Sequence, residues 1–277
     1  MKKIKSLFCI GLLLTVATTV NAQSVTWISS TEGNVWQKSK VKLQSKSEQN
    51  PVLQVDGTEN GVVFKNWGTT FNELCWDALG LLTRTEQDEI LYNIFSPQGD
   101  LRITRGRISM GANDYARSWY SCDEVEGDFE LRYFNINRDK QTIIPFIRAA
   151  QKYNPNLTFW ISPWCPPSWM KINGDYPVLS SPFNSLSEKQ NYLLYGATGG
   201  QVDENEMKLT DARDGVFPRQ LATTDFMIQD PRYLQTYADY FCRFIDAYKE
   251  QGIPIDMVMY QNEAYSYTPY PGCAWTA

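Results

Sequence analysis

Polar and aromatic side chains collect at the ends of three predicted strands, the second, third and fourth of the sequence. They are Arg107 and Asp114, then Trp164, then Asn262 with Glu263. Because the carboxyl ends of parallel strands meet on one rim of an α/β sheet, we expect these side chains to converge. A glutamate that closes an apolar run should be partly desolvated, which suits it to donate a proton. A strand-end carboxylate that only caps a helix or pairs with an arginine fits the same pattern.

The chain contains no histidine in 277 residues, and this absence excludes several classes of hydrolase. Hydrolases with an imidazole base and zinc sites with imidazole ligands both require that side chain. Proton transfer must therefore fall to carboxylates, tyrosine, lysine or cysteine. The sequence contains no C-x-x-C pair that would suggest a metal site, and its motifs indicate no cofactor.

Cysteine usage leaves two interpretations open. Cys9 lies in the N-terminal apolar run, and the other five are Cys75, Cys122, Cys165, Cys242 and Cys273. Their odd number and wide spacing favour buried thiols, with one disulfide as the alternative in an oxidising compartment.

Charge and composition narrow the possible partners. The net charge of −5 argues against nucleic acid, which requires a basic face. Aromatic residues make up 14% of the chain, which suits a protein that stacks rings on sugar faces. Many of these rings can equally belong to the core, so composition alone leaves the choice open.

The first 22 residues have the pattern of a signal peptide. A basic start precedes an apolar run over 7–20, and Val20-Asn21-Ala22 provides a small-x-small cleavage site. The run is too short to anchor the chain across a bilayer, and no second apolar stretch of that length follows. We expect a mature chain without an integral membrane segment that is periplasmic, cell-surface or secreted.

Two segments with different predicted secondary structure follow the signal peptide. Residues 23–60 resemble short strands of a side β-domain, too few to bury a core of their own. From residue 61 the pattern alternates, with strands predicted at 62–70, 101–108, 157–162 and 253–260. A long loop is predicted over 163–229.

Helices are predicted between the strands. A capping box, Thr83-x-x-Glu86, begins one helix, a second covers 139–153, and a third begins at Pro231 and ends at Gly252. The inward residues expected for the second are Ile143, Ile144, Ile147 and Ala150, and those for the third are Leu234, Tyr237, Phe241, Phe244, Ile245 and Tyr248.

Four β/α units in succession predict a parallel sheet with crossover helices. A closed (β/α)₈ barrel has eight strands. Residues 61–277 are therefore expected to form the N-terminal half of a TIM barrel that is apparently truncated. A compact half-barrel or a smaller fold stays open as an alternative.

Three motifs resemble glycoside hydrolase family 30, the glucosylceramidase-like enzymes. The segment 107–115, RISMGANDY, resembles the family's second-strand motif, and 162–171, SPWCPPSWMK, resembles its third-strand motif. Asn262-Glu263 is similar to the acid/base motif of the wider clan, although Ala264 stands where the family usually has proline. The segment 26–31 resembles the N-terminal β-segment of the family.

The resemblance implies retaining hydrolysis of a β-linked glucan or another β-glycoside. Glu263 would be the acid/base, Asn262 would bind the sugar's 2-hydroxyl, and Asp114 and Trp164 would bind the cleaved sugar. Arg107 would bond to the catalytic carboxylates. The family's nucleophile is a glutamate after the seventh strand, which would fall beyond Ala277.

Glu73 and Asp77 match no nucleophile motif. They are expected at the rim or at a helix start, with Glu73 as a candidate substrate contact. The chain alone is then expected to be inactive and poorly soluble, because its outer strands would present open edges. A non-catalytic carbohydrate-binding fragment, or another glycosidase family of the same clan, are the alternatives.

Overall fold

The computed structural model describes residues 24–42, 61, 63–184, 186, 225–264 and 268–275. The chain divides into two compact units, Met1–Val63 and Phe64–Ala277. The predicted signal peptide, the strand pattern at 52–55 and most of the predicted loop over 163–229 lie outside the described residues. No helix in the described ranges has the length and apolarity that a membrane crossing requires.

The described part of the first unit is an antiparallel hairpin. Strand β1, Ser24–Thr31, pairs with β2, Asn34–Lys42, and Gly33 occupies the turn with φ of 78°. Large apolar side chains such as Trp27, Val35 and Trp36 are exposed on it. Two strands cannot bury such residues between themselves, as the prediction for 23–60 assumed.

The second unit contains a four-stranded parallel sheet. Its strands are β3 (Gly68–Phe71), β4 (Arg105–Ser109), β5 (Thr158–Ser162) and β6 (Ile255–Val258). They lie side by side in chain order. All four predicted strands are present, but each is shorter than predicted. The first begins only at Gly68, and Val63 and Phe64, which were predicted to open it, are exposed and lie outside any strand.

Four α-helices accompany the sheet. They are α1 (Glu73–Gly80), α2 (Arg84–Phe95), α3 (Ile143–Gln151) and α4 (Pro231–Glu250). The predicted capping box begins α2, with the Thr83 N–H donating to Glu86 Oε2 over 2.8 Å. Helix α1 follows its N-cap Asn72, whose side chain accepts from the Cys75 N–H over 2.9 Å. A 3₁₀ turn covers Ser168–Met170.

The predicted helix over 139–153 is divided. A 3₁₀ turn spans Asp139–Gln141, and α3 follows it from Ile143. The four residues predicted to face inward in this helix are all buried. They pack in the core with Phe71 and Phe95, whose rings stack at 5.6 Å.

The buried face of α4 is rotated from the predicted one. Tyr237, Phe244 and Tyr248 are buried as predicted, but Leu234, Phe241 and Ile245 are only half-buried. Tyr233, Thr236 and Tyr240 are buried instead. Buried tyrosines are tolerated when their hydroxyls find partners. The Cys122 N–H donates to the Tyr240 hydroxyl over 2.9 Å, and the Tyr248 hydroxyl donates to Asp139 over 2.6 Å.

All five cysteines after residue 22 are free thiols. Cys122, Cys165 and Cys273 are buried, as predicted, whereas Cys75 and Cys242 are exposed on helices. The expectation of buried thiols is therefore correct for three of them and wrong for two.

Candidate active site

The strand order places the candidate residues on one rim. Arg107 lies on β4 opposite Trp160 of β5, and Ser162 is the last residue of β5. Beyond β6 the chain continues alongside the neighbouring segment, because the Asn262 N–H donates to the Pro163 carbonyl over 2.8 Å. The residues after β5 and β6 are thereby held next to each other at the carboxyl ends of the strands.

Arg107 lies at the centre of this rim. Its Nε and Nη2 donate to Ser162 Oγ over 3.0 and 2.7 Å, and Nη2 also donates to Asn262 Oδ1 over 2.6 Å. The guanidinium lies 5.2 Å from the Trp160 ring centroid and 5.9 Å from that of Trp164. Burial lowers the pKa of Arg107, and the charge of Glu263 opposes that shift. Arg107 thus interacts electrostatically with Glu263 and positions Asn262 by a direct hydrogen bond.

Glu263 is exposed, so the predicted desolvation of this carboxyl is wrong. The physical reason is that residues 256–260 of the preceding strand are themselves exposed at the edge of the described sheet. Glu263 has φ of 49°, a left-handed conformation that costs a non-glycine residue about 1–3 kcal/mol. Hydrogen bonds on both sides hold it, from Asn262 to Pro163 and from the Trp275 N–H to the Ala264 carbonyl. Backbone strain of this kind clusters at functional sites.

Asp114 and Trp164 flank Glu263. Although Asp114 is exposed to solvent, the protein atoms around its carboxyl raise its pKa, and the charge of Glu263 raises it further. Trp164 is half-buried, and its Nε1 is buried without a hydrogen-bond partner among the described residues. The structure therefore brings the five predicted site residues into one cluster on the rim. Their individual roles stay predictions.

Two residues of this cluster were missed in the sequence. The Tyr270 hydroxyl donates to Glu263 Oε2 over 3.4 Å, and its ring lies 6.0 Å from that of Trp164. Gln261 is buried and donates through Nε2 to the carbonyls of Trp164 (2.6 Å) and Asn262 (2.8 Å). The concentration of tyrosine, tryptophan and proline after Glu263 was the available signal for Tyr270.

Glu73 does not reach the site, which corrects its interpretation as a candidate substrate contact. It has no exposed surface and accepts from Arg138 Nε and Nη2 over 2.9 and 2.6 Å. The Arg117 N–H and the Thr142 hydroxyl also donate to it. Asp77 forms an exposed ion pair with Arg117. Both carboxylates lie on α1, as the expectation of a helix start implied, and both have structural partners.

Metal-binding geometry is absent from the described ranges of the chain, where no group of three or more Cys, Asp or Glu side chains is arranged to hold an ion.

Comparison with known proteins identifies the family. The sequence model of the glycosyl hydrolase family 30 TIM-barrel domain matches residues 64–181. This match assigns residues 64–181 to glycoside hydrolase family 30. The matched range contains Arg107, Asp114 and Trp164, whereas Asn262 and Glu263 lie outside it.

Individual relatives agree with this family. The Caenorhabditis elegans protein with the provisional name glucosylceramidase 4 is 27% identical over 90% of this chain. The Aspergillus fumigatus endo-1,6-β-D-glucanase is 26% identical over 81% of this chain. This chain spans 40% of the length of each of those two relatives.

A solved endo-β1,6-glucanase has the same fold over 90% of this chain and 45% of its own, with a TM-score of 0.59 at 20% identity. The parallel sheet of this chain is therefore part of a family 30 TIM-barrel domain, and the short antiparallel hairpin fits its side β-domain.

Proposed function

We propose that this chain carries the acid/base half of a retaining β-glycosidase site, with Glu263 as the acid/base. The observation that supports the proposal is the cluster on the rim. Glu263 lies within the electrostatic reach of Arg107 and Asp114, and Asn262 is hydrogen-bonded to Arg107. Trp164 offers an aromatic face beside them.

In the first step Glu263 protonates the glycosidic oxygen as its bond to the sugar breaks. A second carboxylate, about 5 Å away, attacks the anomeric carbon and forms the covalent intermediate. In the second step Glu263 removes a proton from a water molecule whose oxygen bonds to the anomeric carbon, and the bond to the second carboxylate breaks. Asn262 holds the 2-hydroxyl, a contact that strengthens as the oxocarbenium character develops.

We assign the second carboxylate to a part of the protein outside residues 1–277. This assignment is supported by the engagement of the other carboxylates near the start of the barrel. Glu73 is enclosed by an arginine, a backbone N–H and a threonine, and Asp77 is paired with Arg117. On this basis residues 1–277 alone lack the carboxylate that forms the covalent intermediate, and we expect them to be inactive.

The substrate class is a β-linked glucan or a β-glucoside such as a glucosylceramide, which are the substrates implied by the names of the relatives. Export to the periplasm, cell surface or medium is proposed from the pattern of residues 1–22.

The test is the substitution Glu263→Gln in the full-length protein. Because general acid catalysis contributes about 10²–10⁴-fold, hydrolysis of an alkyl β-glucoside should fall by a factor in that range. Glu89→Gln, an exposed glutamate on α2, is the matched control and should leave the rate unchanged. NMR detection of the first-formed anomer should show retention. A Glu263→Gln protein as active as the wild type would contradict the assignment.

A second candidate function is glycan binding without cleavage. The exposure of Glu263 and the aromatic pair formed by Trp164 and Tyr270 favour it for the isolated chain. Calorimetry with β-1,6-glucan oligosaccharides distinguishes the two, since binding without turnover by the full-length protein would support this alternative.

A further inference from the structure

Tyr270 makes a direct contact with the proposed acid/base. Its hydroxyl donates to Glu263 Oε2 over 3.4 Å. This distance is about 0.6 Å longer than an ordinary O–H···O hydrogen bond. Catalytic hydrogen bonds in ligand-free sites are often long and shorten when the substrate binds. The contact therefore has the geometry of a bond that a small side-chain rotation completes.

The backbone around Tyr270 is held in place by a neighbouring loop. The Val178 N–H donates to the Thr268 carbonyl over 2.9 Å, and the Gly272 N–H donates to the Tyr176 carbonyl over 3.1 Å. The Thr268 hydroxyl donates to the Tyr270 carbonyl over 3.0 Å. Gly272 packs so closely that a Cβ there would lie 2.7 Å from Thr268 Oγ1. The loop that carries the phenol is thus preorganised by contacts on both sides of Tyr270.

The electrostatic surroundings keep the phenol protonated. Burial raises the pKa of Tyr270, and the charges of Glu263 and Asp114 raise it further. The hydroxyl consequently remains a hydrogen-bond donor when Glu263 is ionised. Glu263 Oε1, by contrast, accepts no hydrogen bond from the residues that the structure describes. The two carboxyl oxygens therefore differ, with Oε2 bonded to a permanent donor and Oε1 open.

We propose that Tyr270 is a positioning residue that holds Oε2 of Glu263 so that proton transfer runs through Oε1. This inference rests on the proposed acid/base function of Glu263. In the first step the proton moves from Oε1 to the glycosidic oxygen, which keeps the electron pair of the broken C–O bond. In the second step Oε1 takes a proton from the attacking water. The phenol keeps its own proton throughout both steps.

The test uses the dependence of the rate on the leaving group. An alkyl alcohol needs a proton to depart, whereas 2,4-dinitrophenolate departs without one, and kcat/KM reports the step in which either leaves. In the full-length protein, Tyr270→Phe should lower kcat/KM about 10-fold for an alkyl β-glucoside, a fraction of what general acid catalysis supplies. For 2,4-dinitrophenyl β-glucoside it should change kcat/KM less than about 2-fold. Tyr133→Phe, an exposed tyrosine elsewhere, is the control.

The outcomes separate this inference from the proposed function. An equal loss on both substrates, or no loss on either, would overturn the positioning role of Tyr270. If Glu263→Gln itself leaves alkyl β-glucoside hydrolysis intact, the proposed function fails instead. A readout independent of turnover is the ¹³C NMR titration of the Tyr270 Cζ. The pKa of Tyr270 should fall when Glu263 is replaced by glutamine. An unchanged titration would refute the contact itself.

Discussion

Replacing Glu73 by glutamine distinguishes a structural carboxylate from a catalytic one. Glu73 has no exposed surface and accepts four hydrogen bonds, from two nitrogens of Arg138, the Arg117 N–H and the Thr142 hydroxyl. Burial raises the pKa of Glu73, but the Arg138 hydrogen bonds, followed by that from Arg117, lower it more, so the net pKa is below the usual value. The carboxylate is therefore stabilised in its charged form by the fold.

The size of the effect follows from these contacts. Removing one partner of a buried ion pair costs about 3–5 kcal/mol, because the remaining charge loses its counterpart. The Arg138 side chain keeps 29% of its surface in solvent and lies 4.0 Å from the centroid of the Tyr120 ring, so part of its charge stays solvated or stacked. We therefore expect the lower end for Glu73→Gln, a loss of about 3 kcal/mol in the free energy of unfolding.

The assay is urea unfolding followed by tryptophan fluorescence, with Asp77→Asn as the matched control. Asp77 also lies on α1 and pairs with an arginine, Arg117, but this ion pair is exposed. We therefore expect no measurable loss in the free energy of unfolding for Asp77→Asn. Since the folded pKa of Glu73 is lowered, its contribution is present above the ordinary glutamate pKa and disappears as pH falls through the folded pKa. A loss below about 1 kcal/mol for Glu73→Gln, or equal losses for both variants, would refute this reasoning.

Two further predictions concern the core. Gly106→Ala would place a Cβ 2.5 Å from the Phe71 ring. This overpacking should lower the free energy of unfolding, measured in urea, by about 1–3 kcal/mol. Gly80→Ala is the control and should leave that free energy unchanged, because a Cβ there would have no atom within 4 Å. Burial raises the pKa of Asp139 to about 6, so its protonated form contributes stability below the unfolded pKa that is lost as pH rises through about 6. In urea unfolding between about pH 4 and pH 8, wild type should lose about 2 kcal/mol more than Asp139→Asn, and parallel pH profiles would contradict this.

Local sequence information was sufficient for the order of the elements. The strand patterns, alternating over 101–108 and mostly apolar over 157–162, belong to four predicted strands, and all four became adjacent strands of one sheet. The capping box at Thr83 predicted the start of α2, because that motif satisfies the helix N–H groups through residues only three apart. The boundaries were less well predicted, since the ends of short strands depend on their neighbours.

The convergence of the candidate site was also predictable from the sequence. In a parallel sheet every strand delivers its following residue to the same rim, so Arg107, Trp164 and Glu263 had to lie near one another once the strands paired in order. The absence of histidine limited the groups that could transfer protons to carboxylates, tyrosine, lysine or cysteine.

The burial of several polar side chains was decided only by the tertiary structure. Tyr240 turned inward because a donor from a distant segment, the Cys122 N–H, bonds to its hydroxyl. Glu73 became structural because Arg138, 65 residues away, pairs with it. Hydropathy along the chain cannot reveal such partners, since they depend on long-range packing.

The exposure of Glu263 and its contact with Tyr270 were also decided by the tertiary structure. The residue type and its place after a strand were visible in the sequence, which therefore determined the candidate acid/base and the rim on which it lies. The solvent exposure of Glu263 depends on what covers β6. Its hydrogen bond with Tyr270 depends on two loops that are joined by backbone hydrogen bonds. Backbone-to-backbone contacts leave no trace in residue identity, so only the folded chain could place the phenol beside the carboxylate.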